Sequence, residues 1–136
     1  MNRPATRRPS QGTIELALSS RLNSWLPPLV YMAVIFGFSS QSNPLPEVTA
    51  LVWDKLLHLT EYAGLAVLIG RALRREGLNV LPVIVLSVLC TSFYGATDEF
   101  HQWFVPGRTS DVRDWTADTL GATAGVLAYV SAVRRR

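Results

Sequence analysis

The sequence predicts an all-α membrane protein with four transmembrane helices and both termini in the cytoplasm. Four apolar stretches lie near residues 25–40, 56–72, 78–97 and 115–133. Most basic residues lie before the first stretch, between the second and third, and after the fourth, whereas eight of the ten acidic residues lie in or beside the other two connections. Under the positive-inside rule, the basic segments stay in the cytoplasm and the acidic connections face outward.

A soluble helical bundle is the main alternative, and two features argue against it. Residues 78–97 form a run of twenty uncharged residues, long enough to cross about 30 Å of hydrocarbon. Residues 63–69 and 81–89 are apolar on all sides, where a soluble surface helix would have a polar face. We therefore expect the lipid bilayer as a partner. The net charge of +3 is spread over separate arginine-containing segments, so no nucleic-acid partner is expected.

The boundaries of the domain follow from composition. Residues 1–22 are predicted to be a disordered, basic cytoplasmic tail because their first half is polar and contains proline. The four-helix domain is predicted over 23–133, and 134–136 form a basic cytoplasmic end. Cys90 lies inside an apolar stretch, which favours the role of a small buried hydrophobic residue over a disulfide partner.

The first two helices have recognisable ends. Helix one is predicted to begin at 25–28, where proline suits a first turn, and to run to Ser40. The following Asn43–Pro46 segment predicts an extended loop. Helix two is predicted to start near Trp53 and Asp54, since an acidic residue suits a helix N-terminus. It should end at the basic run 71–75 and Gly77.

The last two helices are joined by a polar turn. Helix three carries Pro82 in its first turn, where proline is tolerated, and is expected to continue to Phe104 before Pro106 and Gly107 turn the chain. Helix four is predicted to open at 110–111, where Asp111 can cap it, and to finish at the terminal arginines.

A first polar cluster lies at the start of helix two. At 100° per residue, its members fall within a wedge of about 120°; they are Asp54, Lys55, His58, Glu61 and Tyr62. The deeper residues of the same wedge are apolar, which predicts a pocket open at the outer face and not a pore.

Two further clusters lie at the same predicted end of the bundle. Asp98, Glu99 and Gln102 share one face of helix three, with Arg108 in the following loop. On helix four a single stripe at i, i+3 and i+7 continues as a surface of small residues; its members are Asp111, Asp114, Asp118, Gly121 and Gly125. Such small residues allow another helix to approach closely.

Ionisable residues in a membrane are costly and by default indicate function. The plain alternative is that several of these carboxylates only cap helices and pair with neighbouring cations. A metal site could use His58 and Glu61 at i, i+3, joined by Asp or Glu from the other helices around a hard cation, but we assign no metal ligand and no cofactor from the sequence. An enzyme could use His58 with a carboxylate and hold an anionic group through Lys55 or Arg108. The third interpretation is a binding pocket for a polar headgroup or peptide.

Three polar runs, in this order, resemble the pattern of the VanZ family. They are Asp54-Lys55 with His58, Tyr62 and Leu65; Asp98-Glu99 with Gln102, Phe104, Pro106 and Arg108; and Asp114 with Asp118, Gly121 and Gly125. The segment 38–41 also resembles that family, and the similarity extends over about residues 28–130. Asp118 stands where the family often has asparagine.

The resemblance implies a small multi-pass protein of the bacterial cytoplasmic membrane, in a family whose namesake is linked to teicoplanin resistance. We predict an outward-facing pocket that binds a cell-envelope component, such as a lipid-linked or glycopeptide-like ligand. The expected pocket residues are Asp54, Lys55, His58, Tyr62, Asp98, Glu99, Gln102, Arg108, Asp111, Asp114 and Asp118.

Two alternatives stay open. One is a hydrolase or transferase acting on an outer-leaflet phospholipid or glycolipid, with His58, Glu99 and Asp118 as catalytic candidates. The other is a structural partner for another membrane protein, docking through Gly121 and Gly125.

Overall fold

The chain folds into four α-helices. The computed structural model describes residues 10–42 and 51–135, and in those ranges there is no strand. The helices are α1 (Gln11–Ser39), α2 (Leu51–Arg75), α3 (Val80–Gln102) and α4 (Val112–Arg134). The all-α prediction is thereby confirmed.

Three of the helices are long and apolar enough to cross a membrane. The spans are Leu18–Ser39 in α1, Lys55–Arg75 in α2 and Val80–Gln102 in α3. α4 is as long as α3, but its first two turns carry Arg113, Asp114 and Asp118, which lower its hydropathy. The membrane character of the chain is confirmed for three helices, while the fourth span and the side on which the termini lie remain predictions.

Helix α1 begins earlier than the sequence suggested. It starts at Gln11 and not near Trp25, so residues 11–22 of the predicted tail are helical and Pro27 and Pro28 lie inside the helix. The physical reason is the run of leucine and alanine over 16–18, which favours helix before the prolines are reached. Residues 1–9 and the predicted loop at Asn43–Pro46 lie outside the described residues.

The turn between α2 and α3 has the predicted chemistry. α2 ends at Arg75, and Gly77 adopts a φ of +86° that suits glycine. The Leu78 N–H then donates to the Leu73 carbonyl at 3.3 Å, as in a glycine-terminated helix end. The Arg74 guanidinium donates to the Leu78 carbonyl at 2.6 Å, which satisfies another backbone oxygen of the turn.

The turn between α3 and α4 sets the start of the last helix. α3 ends at Gln102, two residues before the predicted end, and Gly107 adopts a φ of +80°. Asp111 caps α4 as predicted, since its carboxylate accepts from the Arg113 N–H at 2.8 Å. The capping hydrogen bond also holds the pKa of Asp111 below its usual value, with the nearby Lys55 ammonium acting in the same direction.

The closest helix contact is between α2 and α4. A Cβ atom at Gly121 would overlap the Leu59 carbonyl oxygen, and one at Gly125 would overlap the Ala63 carbonyl oxygen. The small-residue surface of α4 therefore lies against the backbone of α2 within the same chain. Beside this contact, Tyr62 and Leu65 of α2 are fully buried, and Val126 of α4 packs in the same hydrophobic core.

The outer faces of α1 and α3 remain apolar. Leu81, Phe93 and Leu26 are all more than half exposed, as expected of helix faces that meet lipid. Cys90 lies on the same exposed surface of α3, so the prediction that it is buried is wrong. Only one face of α3 is covered by α2 and α4, and Cys90 falls on the other.

We expect Gly121→Ala to destabilise the bundle strongly. The added methyl group has no room against the Leu59 carbonyl, and overpacking of this kind typically costs about 1–3 kcal/mol or more. Thermal unfolding of the purified protein in detergent measures the change. Gly37→Ala is the matched control, because nothing lies within 4 Å of a Cβ at that helical position. Equal unfolding temperatures for the two variants would contradict the close approach of α2 and α4.

Candidate functional site

Buried polar side chains gather where α2 begins, α3 ends and α4 begins. Six of them are less than 9% exposed and come from three helices; they are His58, Asp98, Glu99, Gln102, Asp114 and Asp118. We call these six residues, together with the fully buried Tyr62, the polar cluster. The cluster lies at the opposite end of α2 from the basic residues Arg74 and Arg75.

His58 and Asp118 form the centre of the cluster. The Nδ1 atom of His58 lies 2.9 Å from Oδ1 of Asp118, and the Asp118 side chain is inaccessible to solvent. Because a carboxylate accepts, the geometry favours the tautomer in which Nδ1 donates and Nε2 carries the free lone pair. The Tyr62 ring lies nearly parallel to the His58 ring, at a centroid distance of 6.2 Å and an interplanar angle of 7°.

Helix α3 supplies a second wall. The Gln102 amide donates to Oδ2 of Asp98 at 3.0 Å, one turn apart on the same face. Oε2 of Glu99 accepts from the Asp111 N–H at 2.8 Å. This last bond ties the end of α3 to the cap of α4, so Glu99 is held in place by the backbone of the following helix.

Lys55 connects α2 with the start of α4. Its ammonium group lies 3.2 Å from Oδ2 of Asp111 and also pairs with Oδ1 of Asp114. Asp111 is half-buried at the edge, whereas Asp114 is 5% exposed. Lys55 therefore neutralises part of the charge on one side of the cluster and leaves the second oxygen of Asp114 outside that ion pair.

Several buried atoms of the site have no hydrogen-bond partner in the described part of the chain. They are Oη of Tyr62, Oδ1 of Asp98, Oε1 of Glu99, Nε of Arg108 and Oδ2 of Asp118. Buried polar groups in proteins are nearly always satisfied by protein, water or an ion. Five such atoms lie in or beside the polar cluster, and three hydroxyl oxygens elsewhere in the described residues, those of Ser39, Ser87 and Thr91, are also buried without a partner.

Three residues of the site converge as metal ligands do. His58, Glu99 and Asp114 each offer one donor atom, and these atoms lie within 4.8 Å of one another. The sequence suggested Glu61 as the partner of His58, but Glu61 is not part of this group and is half-buried on α2. Our sequence analysis assigned no metal ligand, and this convergence comes from the tertiary structure.

The other predicted residues lie around the cluster. Arg108 is half-buried beside it in the α3–α4 turn, while the Asp54 side chain lies outside the described residues. His101 points away to α1, where its Nε2 atom lies 3.1 Å from the Ser40 hydroxyl. Gly121 and Gly125 are buried against α2 and line no part of the site.

Gly95 is a residue of the site that the sequence analysis missed. A Cβ there would lie 2.7 Å from Oδ2 of Asp118 and 3.2 Å from Cε1 of Tyr62. Glycine at this position therefore lets Asp118 and Tyr62 meet beside α3. The available signal was a glycine one turn before Asp98 in an otherwise apolar span.

An open groove adjoins the cluster between α2 and α4. Its volume is about 430 Å³, and its lining is mostly apolar; the residues are Lys55, Leu56, Leu59, Arg113, Thr116, Ala117 and Leu120. Lys55 belongs to both places, because it lines the groove and pairs with Asp114 of the cluster. An apolar groove thus runs beside a buried polar site.

These features define a small helical membrane protein with a buried polar site at one end of its bundle. A family model described as VanZ/LLP1 matches residues 6–134, so the chain belongs to the VanZ family, as the polar runs of the sequence suggested. No curated protein and no solved structure matches the chain.

We expect His58 and Asp118 to be energetically coupled. His58→Ala and Asp118→Ala should each cost about 1–3 kcal/mol, because each leaves its partner buried without a hydrogen bond. The double variant should cost less than the sum, which a double-mutant cycle of unfolding in detergent measures. Thr116→Ala, exposed on the same helix, serves as the control and should change little. Strict additivity of the two single changes would show that the contact contributes nothing.

Proposed function

We propose that this VanZ-family protein binds a lipid-linked component of the bacterial cell envelope at the outer face of the cytoplasmic membrane. The polar headgroup would enter the polar cluster, and the lipid chain would lie in the groove between α2 and α4. The observation that carries this proposal is the set of buried, unpartnered polar atoms beside an apolar groove.

The outward orientation rests on charge. The end of α2 carries Arg74 and Arg75, and the last turn of α4 carries Arg134, whereas the polar cluster lies at the other end of both helices. Basic residues are retained in the cytoplasm. Four crossings with both termini inside would therefore place the cluster outside, within reach of envelope precursors.

Labelling of single cysteines tests this orientation. In a Cys90→Ser background, Ser110→Cys, which lies in the exposed α3–α4 turn, should react with a membrane-impermeant maleimide in intact cells. Arg135→Cys, also exposed, should react only after the cells are opened. The reverse pattern would place the cluster in the cytoplasm and remove the proposed ligand from its reach.

The apolar groove and the polar cluster together suit one amphiphilic ligand. The groove offers Leu56, Leu59 and Leu120 to a hydrocarbon chain, with Lys55 and Arg113 among its lining residues. Arg113 is exposed, and an arginine in that setting favours an anionic headgroup. On the cluster side, the buried Nε of Arg108 and the hydroxyl of Tyr62 remain available as donors.

Native mass spectrometry of the protein, extracted under mild conditions, tests the proposal. We expect a co-purifying lipid that Thr116→Trp displaces, because the larger ring fills the groove that the exposed Thr116 lines. Ala96→Trp is the matched control: Ala96 is exposed on α3 near the same end of the bundle and does not line the groove. Equal lipid occupancy in the wild type and both variants would overturn the proposal. Teicoplanin added to the same assay tests the glycopeptide-like ligand that the family's namesake suggests.

The His58–Asp118 hydrogen bond also favours a second candidate function. A carboxylate that orients a histidine is a common arrangement in acid–base catalysis, so the site could activate water to hydrolyse the bound headgroup. His58→Gln in the same assay separates the two functions. A catalyst should retain the intact lipid in this variant and release product in the wild type, whereas a binding protein should show the same intact lipid in both, at lower occupancy in the variant. Docking of another membrane protein through Gly121 and Gly125 is not proposed, because α2 covers that surface.

A further inference from the structure

We propose that His58, Glu99 and Asp114 bind one divalent metal ion. The three residues come from α2, α3 and α4, each is at least nine-tenths buried, and their donor atoms lie within 4.8 Å of one another. Ligands of one ion at about 2.1 Å are separated by up to roughly 4.2 Å. The three donor atoms therefore stand slightly farther apart than ligands of one ion, and the side chains must move inward to bind a cation.

In each of the three ligand side chains, one polar atom bonds to a neighbouring residue and a second polar atom does not. Nδ1 of His58 is taken by Asp118, Oε2 of Glu99 by the Asp111 N–H, and Oδ1 of Asp114 by Lys55. Oε1 of Glu99 is buried and has no partner in the described residues. Metal sites are commonly built in this way, because outer partners orient each ligand and fix the histidine tautomer.

The charge of the cluster supports a cation. Four carboxylates are buried together, and the nearby Lys55 and Arg108 are only half-buried. Burying uncompensated negative charge in or near a membrane is costly. A divalent ion between Glu99 and Asp114 would offset that cost, and Lys55 already shows that the site accepts positive charge beside Asp114.

The ligand set narrows the choice of ion. One imidazole nitrogen with two carboxylate oxygens suits Mn²⁺ or Zn²⁺, whereas Mg²⁺ and Ca²⁺ prefer oxygen alone. Within the proposed function, such an ion would also attract a phosphate headgroup into a cluster that is otherwise acidic. This role of the ion rests on the proposed function, whereas the metal site itself rests only on the three ligand residues.

Mn²⁺ titration followed by electron paramagnetic resonance tests the metal site. The full-length protein should carry a non-histidine affinity tag and be treated with chelator before Mn²⁺ is added. We expect one tightly bound Mn²⁺ per chain in the wild type and a loss of at least tenfold in affinity in His58→Ala, Glu99→Gln and Asp114→Asn. Asp118→Asn should weaken binding by about 10–100-fold, because Asp118 positions the imidazole without binding the ion.

Glu61→Gln is the matched control. It removes a carboxylate from α2 one turn from His58 but outside the converging group, so Mn²⁺ binding should be unchanged. Three results would each overturn the site. They are Mn²⁺ binding of wild-type affinity in the three ligand variants, loss of Mn²⁺ binding in Glu61→Gln alone, and no Mn²⁺ binding to the wild type.

A second measurement does not depend on the folding of the ligand variants. Pulsed electron paramagnetic resonance of Mn²⁺ bound to the wild type should show coupling to an imidazole nitrogen, and His101→Gln should retain the signal because His101 lies on the α1 side of α3. Bound Mn²⁺ without nitrogen coupling would exclude His58 as a ligand. If the metal binds but no lipid co-purifies, the proposed function fails and the metal site stands. If lipid binds but no metal does, the metal site fails and the proposed function stands.

Discussion

The structure depends on the close backbone contact between α2 and α4. Gly121 and Gly125 lie directly against the carbonyl groups of Leu59 and Ala63, at a distance that no other residue permits. In lipid, helices gain little from hydrophobic burial against one another, so association relies on close packing and on polar bonds. This contact supplies the packing. Because both helices are rigid, it also sets the distance between His58, the residue before Leu59, and Asp118, which lies one turn before Gly121.

The polar cluster is therefore a consequence of a helix crossing rather than of a flexible loop. Asp118 reaches His58 because the glycines that follow it bring α4 close to α2, and Gly95 leaves room for its carboxylate on the α3 side. The Glu99–Asp111 and Lys55–Asp114 contacts then fasten the ends of the three helices together. A site built on helices in this way holds its ligand atoms more firmly than one carried by loops.

The sequence was sufficient to predict the all-α class and to single out most of the polar residues that the structure places at one end of the bundle, because hydropathy and charge are properties of short segments. It placed α1 too late, since two prolines were interpreted as a first turn although the preceding leucine-rich segment is helical. The sequence could not predict which side chains from different helices lie close together. Periodicity shows that Glu99 and Asp114 face inward on their own helices, but only the packing of three helices brings them to His58, and helical spacing alone favoured Glu61. Gly95 was missed for the same reason, because its role exists only opposite Asp118 and Tyr62.

The unpartnered atoms of the cluster differ in kind from those elsewhere in the described residues. Outside the cluster, the buried side-chain atoms without a partner are the neutral hydroxyl oxygens of Ser39, Ser87 and Thr91, whereas those in or beside the cluster include carboxylate oxygens and a guanidinium nitrogen. A buried network that served stability alone would be expected to pair its charged members, because an unpaired buried polar group is costly at low dielectric. Glu99 and Asp118 instead keep one engaged and one free oxygen each. One oxygen of each carboxylate is bonded and positions the side chain, while the other has no partner in the described residues, and the proposed binding site rests on this pattern.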